Sequence, residues 1–252
     1  MNLVEMTWPE VSALSKDTPV VIPVAAIEQH GHHLPVVTDS LLLGEIIARV
    51  SGRMADRVLF APLQWLGNSH HHLDFAGTLS ASPRVYLDLL HDLVECFLAH
   101  GFRRIVLVNG HGGNDIPAKQ ALFEIRQRHR TRDDLLLLMT TYWGLGPRPW
   151  EHDGSIEQRE MGHACEWETS MVLRAAPHLV KPLERLETVP FGNAFLPGSR
   201  AWITKERTVP GHIGSPQLAS AAKGEILFSL FAADLEAWLE RVLRWDGRSW
   251  EG

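Results

Sequence analysis

Short, unbroken apolar runs alternate along this chain with longer stretches of helical periodicity, and each pattern assigns its element. The run Val20-Val21-Ile22-Pro23-Val24-Ala25-Ala26-Ile27 reads as a buried strand, with Pro23 pointing to a bulge or a sheet edge because it lacks a donor. Arg57 to Leu63 predicts a second strand, Ile105 to Val108 a third and Leu135 to Thr141 a fourth. Helices are predicted from Ser40 to Met54, from Pro83 to His100, from about Ile116 to His129, and from Ser215-Pro216 to about Arg244. The second of these is well bounded: Ser82 is a cap, Pro83 suits the first turn and Gly101 a left-handed stop. Strands alternating with helices predict an α/β fold with a mostly parallel sheet. Gly146 to Gln158 and Pro190 to Gly214 read as irregular loops, and long loops in a compact domain commonly face substrate.

With 252 residues, the chain has room for one large α/β domain spanning 1–252 and is short for two. A net charge of -6 with His neutral speaks against nucleic-acid binding, which needs clustered Lys and Arg. Cys96 and Cys165 form no disulfide framework and read as free thiols of a reducing cytosol. No basic leader precedes an apolar run, and no apolar stretch reaches the roughly 20 residues that span a bilayer. A cytoplasmic protein with no membrane partner is therefore expected.

Histidine changes this bland picture. Of 14, eight fall in four short segments: His30, His32 and His33; His70, His71 and His72; His111; and His163. In open α/β sheets ligands bind at the carboxyl ends of the strands, and that is where these segments lie. The first strand runs into Glu28-Gln29-His30-Gly31 and then Thr38-Asp39; the third runs into Asn109-Gly110-His111-Gly112-Gly113-Asn114. Glu28 and His30, two apart on extended chain, project to one side. Asp39 stands where a helix N-cap would, and His111 sits in a glycine-rich turn. Mixed carboxylate and imidazole donors suit Zn, Mn or Fe better than Ca or Mg. Two ions can be held by Glu28, His30, Asp39 and His111 if Asp39 bridges. The run His70-His71-His72 is expected to support the ligands or face solvent, not to supply three ligands in a row.

Taken in order, Glu28-Gln29-His30-Gly31, Thr38-Asp39, Phe75-Ala76-Gly77-Thr78, Asn109 to Asn114 and His163-Ala164-Cys165-Glu166-Trp167-Glu168-Thr169-Ser170 resemble the creatininase (creatinine amidohydrolase) family. The resemblance runs from about Thr7-Trp8 to Ala222-Lys223-Gly224-Glu225. It implies a three-layer α/β/α fold, a homo-oligomer (a hexamer) and two divalent cations. It further implies hydrolysis of a C–N bond in a small, commonly cyclic amide by a hydroxide bridging the cations. By position, Glu28, Asp39 and His111 would hold one cation, and His30 with Asp39 the other. His163 matches a proton-shuttling histidine and Trp143 an active-site tryptophan.

Two positions depart from the family pattern. Gly113 stands where creatininase carries a glutamate ligand, and Glu166 is the expected replacement, with Glu168 the less favoured alternative. Arg159 stands where a tryptophan covers the substrate, which argues against creatinine and for a substrate with an anionic group. A lactone or cyclic-ketone hydrolase on the same cations is the nearest rival, and a non-catalytic metal or metabolite binder a more distant one. A serine nucleophile is disfavoured because no Gly-x-Ser-x-Gly elbow is present.

Overall fold

The computed structural model describes residues 1–250 apart from 193, 194 and 196. Those three positions of the expected 190–214 loop, and the last two of the expected 1–252 domain, lie outside the described residues. Four strands, β1 (Val20–Val24), β2 (Leu59–Phe60), β3 (Arg104–Asn109) and β4 (Leu136–Thr141), form one parallel sheet of order β2-β1-β3-β4. The helices, in chain order, are α1 (Trp8–Ala13), α2 (Thr38–Met54), α3 (Pro83–Ala99), α4 (Asp115–Arg128), α5 (Pro149–His152), α6 (Glu166–Ala175), α7 (Thr204–Arg207) and α8 (Ala221–Arg244).

Alternation along the strands divides the core into two layers. Val21, Val106 and Val108 point to one face, where α2, α6 and α8 pack through Leu42, Ile46, Met171, Phe228, Phe231 and Leu235. Val20, Ile22, Ile105 and Leu107 point to the other, where α3 and α4 bring Tyr86, Leu90, Val94, Ala121 and Ile125. The result is the expected three-layer α/β/α arrangement. Both sheet faces are covered, which is why the strands read as continuous apolar runs. Leu227, Phe231 and Leu235 recur at intervals of four on α8 and are fully or almost fully buried; truncating Phe231 to alanine would cost roughly 3–5 kcal/mol.

Register positions the functional end of the sheet. Val24 pairs with Asn109, and Asn109 with Thr141. Three strands therefore end level, and the segments that follow them emerge side by side. Side-chain bonds tie the ends: the Asn109 amide donates to Thr141 Oγ1 at 3.1 Å, and the Asn114 amide to the Ala25 carbonyl at 3.0 Å.

Several elements differ from the sequence expectation. Pro23 sits in a strand paired on both sides. It is tolerated because its main chain faces the β2 side, where the two-residue β2 has already ended; only its carbonyl is used there, by Gln64 N–H at 2.9 Å. Ser215-Pro216 forms a short 3₁₀ turn, and α8 starts later, capped by Ser220 accepting from Lys223 N–H. The two expected loops each carry a one-turn helix, α5 and α7, and α6 has no counterpart in the sequence reading. Among the described residues no helix is long and apolar enough to cross a membrane.

Candidate metal centre

Beyond the level strand ends, each chemical side chain is placed by a distinct local device. Glu28 follows β1 and is tied to Val36 by a main-chain bond of 3.0 Å. Asp39 is not the cap of α2, which is Val37; it lies in the first turn and makes no capping bond, so its carboxylate is free for the site. His111 follows β3, its N–H held at 3.0 Å by Asn109 Oδ1. His163 pairs with Ile213 across an isolated bridge. The next residue, Ala164, has φ +49, a left-handed conformation unusual for a residue with a side chain. That turn swings the chain from His163 into α6, whose first turn carries Glu168.

Three histidines then converge on Asp39 and Glu28. His30 Nε2 lies 3.1 Å from Asp39 Oδ1 and 3.7 Å from Glu168 Oε1. His111 Nδ1 lies 3.1 Å from Asp39 Oδ2 and 3.3 Å from Glu28 Oε1. His163 Nδ1 lies 3.6 Å from Glu28 Oε1. Glu28, His30, Asp39, His111 and Glu168 are all buried, while the His163 side chain keeps 13% of its surface exposed.

The outer nitrogens decide what the inner ones can do. His30 Nδ1 lies 3.0 Å from the Glu28 carbonyl, His111 Nε2 3.1 Å from the Asn68 carbonyl and His163 Nε2 2.7 Å from the Gln29 carbonyl. A carbonyl only accepts, so each of these nitrogens carries a proton. In the neutral imidazole the opposite nitrogen then bears a lone pair, and in all three it is aimed at carboxylate oxygens. Lone pairs facing anions repel unless a cation or a proton lies between them. Imidazoles oriented from behind by main-chain carbonyls are the usual setting of metal ligands.

His72 is different. Gln29 Oε1 accepts from Gly31 N–H at 2.9 Å, so Gln29 Nε2 is the donor that meets His72 Nδ1 and the Gly211 carbonyl, each at 2.8 Å. Its 3.0 Å approach to His163 Nε2 then joins two donors and is not a bond. His72 Nδ1 accepts, so its Nε2–H donates to Glu28 Oε1 at 3.3 Å. His72 orients Glu28, as expected for part of the histidine run.

Three carboxylate oxygens, Glu28 Oε2, Asp39 Oδ2 and Glu168 Oε2, are buried without a hydrogen-bond partner among the described residues. Burying an uncompensated carboxylate is costly, and cations held by two carboxylates and an imidazole each would remove that cost. Without a cation, a proton takes its place. Burial alone would press His111 down, but Glu28 and Asp39 outweigh it and carry the imidazole up to about 10. His30 behaves alike: burial is outweighed by Asp39 and then Glu168, and its value rises well above the ordinary one. Burial holds His163 well below the histidine range and His72 down to about 3, so both are neutral. Burial also pushes the Cys165 thiol up to about 11, which removes it as a nucleophile. Candidate ligand sets therefore include Glu28–His30–Asp39 and His30–His163–Glu168, each with ligand atoms within 4.8 Å.

The structure turns the expected Glu166 away from the histidines. Its carboxylate takes the Lys223 ammonium at 2.6 Å and the N–H groups of Gln158 and Glu157 at 2.6 and 3.2 Å. Glu168, the alternative of the pair, faces His30 instead, with Oε1 3.7 Å from Nε2. Trp143 packs edge-on against Tyr142, with centroids 4.8 Å apart, and onto the core beside α8; no ring contact joins it to the histidines among the described residues. Arg159 is exposed and has no ion pair among the described residues. The aromatic ring that does reach the cluster is Trp202, edge-on to His71 at 5.0 Å, with the Arg207 guanidinium over the indole, 4.7 Å from its centroid. Trp202 lies in the loop expected to face substrate, which was the one available signal for it.

Comparison with known proteins identifies the family. The model of the creatininase family, described as creatinine amidohydrolase, matches residues 4–239. A creatinine amidohydrolase of Pseudomonas putida is 29% identical over 241 residues, covering 90% of this chain and 91% of its own. A mycofactocin precursor peptide peptidase of Mycobacterium tuberculosis is 32% identical over 239 residues, with 90% and 85% covered. A solved mutant creatininase of Zn–Zn type superposes with a TM-score of 0.80 at 28% identity, over 96% of this chain and 98% of its own. The chain belongs to the creatininase family and is, with it, a metal-dependent amidohydrolase.

Proposed function

We propose that this protein hydrolyses the C–N bond of a small amide at a centre holding two divalent cations, Zn, Mn or Fe. The observation that carries the reading is the shared orientation of His30 and His111. Each is fixed from behind by a carbonyl, and each aims a lone pair at Asp39. Asp39 offers a different oxygen to each histidine, which suits it to serve both cations. Glu28, Asp39 and His111 would hold one cation; His30, Asp39 and Glu168 would hold the other.

Such cations supply Lewis-acid polarisation of a carbonyl and acidify water toward neutral pH. The chain's own residues do the rest. His163 is neutral, partly exposed and directs Nδ1 inward, which suits it to take a proton from water and deliver it to the leaving nitrogen. Gln29 holds that histidine through its carbonyl and His72 through its amide. Trp202 offers a flat apolar face against which a planar amide or ring can lie. The anionic substrate group suggested by Arg159 would have to be met by that exposed side chain.

The experiment is turnover by the metal-loaded protein of creatinine, N-formyl amino acids, anionic cyclic amides, short peptides and lactones, with and without a chelator. Chelator-sensitive turnover of at least one amide is expected. Lactone turnover with every amide inert would overturn the choice of bond. Failure of a chelator to reduce activity would overturn the role of the cations.

A further inference from the structure

We infer that His71 is an additional ligand of the cation held by Glu28 and His111, an inference that rests on the two-cation reading above. His71 offers a ligand atom that lies, with one each from Glu28 and His111, inside a set whose members are within 4.8 Å of one another. Its neighbour His72 is excluded from such a role by its tautomer, since the Nε2 that faces Glu28 carries the proton. His71 has no such engagement: neither ring nitrogen has a hydrogen-bond partner among the described residues. A half-buried imidazole with both nitrogens unused, beside a buried carboxylate with a partnerless oxygen at Glu28 Oε2, is a donor lacking its acceptor.

The surrounding chain makes room for this ring and holds it. Gly113 is the device. A side chain begun there would place its first carbon 2.8 Å from His71 Cε1, 2.5 Å from His111 Nε2 and 2.3 Å from the Asn68 carbonyl. Any residue but glycine would drive both imidazoles and the main chain apart, so the space is given to His71. The ring is stacked on His111, 10° from parallel with centroids 5.7 Å apart, lies 4.2 Å from His72, and is pressed edge-on by Trp202 at 5.0 Å. With His71 added, the donor set of this cation would be two carboxylates and two imidazoles, which favours zinc and its neighbours over magnesium or calcium.

The test uses the full chain and Zn²⁺ alone, in competition with a chromophoric chelator, on the wild type, His71→Ala, His71→Phe and Trp202→Ala. His71→Phe keeps a ring against Trp202 and removes the donor. Wild type should bind two ions. Both His71 variants should hold one as tightly as wild type and the other at least about tenfold more weakly, by the size expected of an altered ligand environment. Trp202→Ala, which leaves the donor in place, should stay within about threefold of wild type. Two ions bound with unchanged affinity in both His71 variants would overturn the role of His71 alone. A Trp202→Ala loss equal to that of His71→Phe would overturn it as well, because packing would then explain the effect. Wild type that takes up no ion would overturn both this inference and the two-cation reading.

Discussion

The Lys223 ammonium lies 2.6 Å from the Glu166 carboxylate, and this contact settles which glutamate of α6 meets the histidines. Residues two apart on a helix point roughly 200° apart. With Glu166 turned toward α8, Glu168 must face His30. Glu168→Gln should therefore lose one cation and keep its fold. Glu166→Gln should keep both cations and lose stability on the order of 3 kcal/mol, because Lys223 is left half of a buried pair. Metal analysis together with thermal unfolding of the two variants checks this; loss of an ion from Glu166→Gln alone would reverse the assignment.

His163 is expected to move protons without holding a cation. His163→Gln should retain the metal content of wild type while kcat falls roughly 10²–10⁴-fold, the usual scale of a general acid–base contribution. A variant that loses an ion would make His163 a ligand instead, a role its proximity to His30 and Glu168 allows.

Trp202 is expected to act on substrate binding. Trp202→Ala should raise KM more than it lowers kcat, since a flat face contributes to ground state and transition state alike. Steady-state kinetics on the best amide substrate reads the split. An unchanged KM would remove Trp202 from the substrate's path.

Acid stability has a separate origin. Glu225 on α8 takes both Arg49 of α2, at 2.8 and 3.0 Å, and Arg174 of α6, at 2.7 Å. Its hydrogen bond with Arg49, reinforced by charge, brings its carboxyl down to about 2. A depressed acid contributes stability above its unfolded value, about 4.3, and loses it as pH falls toward 2. The side chain is 43% exposed, so screening limits the contribution to about 1 kcal/mol. Glu225→Gln should unfold at lower denaturant than wild type at pH 7, with the gap closing by pH 2. A gap that persists at pH 2 would assign the effect to packing.

What the sequence could reveal followed from how local each signal is. The strands are largely continuous apolar runs, so β1, β3 and β4 were readable to within two or three residues, and the strand-end segments marked Glu28, His30, Asp39 and His111. Glu166 and Glu168 could not be told apart because the deciding partner, Lys223, lies 57 positions away. Ser215-Pro216 carries the same signal as a true helix start, and only packing places the cap at Ser220. The second strand is cut to Leu59–Phe60: Pro62 has no N–H to donate, and β1 is paired on that side again only at the Val24–Gln64 bridge. His71 and Trp202 meet across loops far apart in sequence, and no spacing announces that contact.

The central claim, two cations bridged by Asp39, is tested most directly by elemental analysis of wild type and Asp39→Asn after zinc loading and removal of free ion. Wild type should hold about two equivalents, the stoichiometry of a two-metal site, and Asp39→Asn should lose both while remaining folded by circular dichroism. A folded Asp39→Asn protein that keeps the full wild-type content would contradict the account.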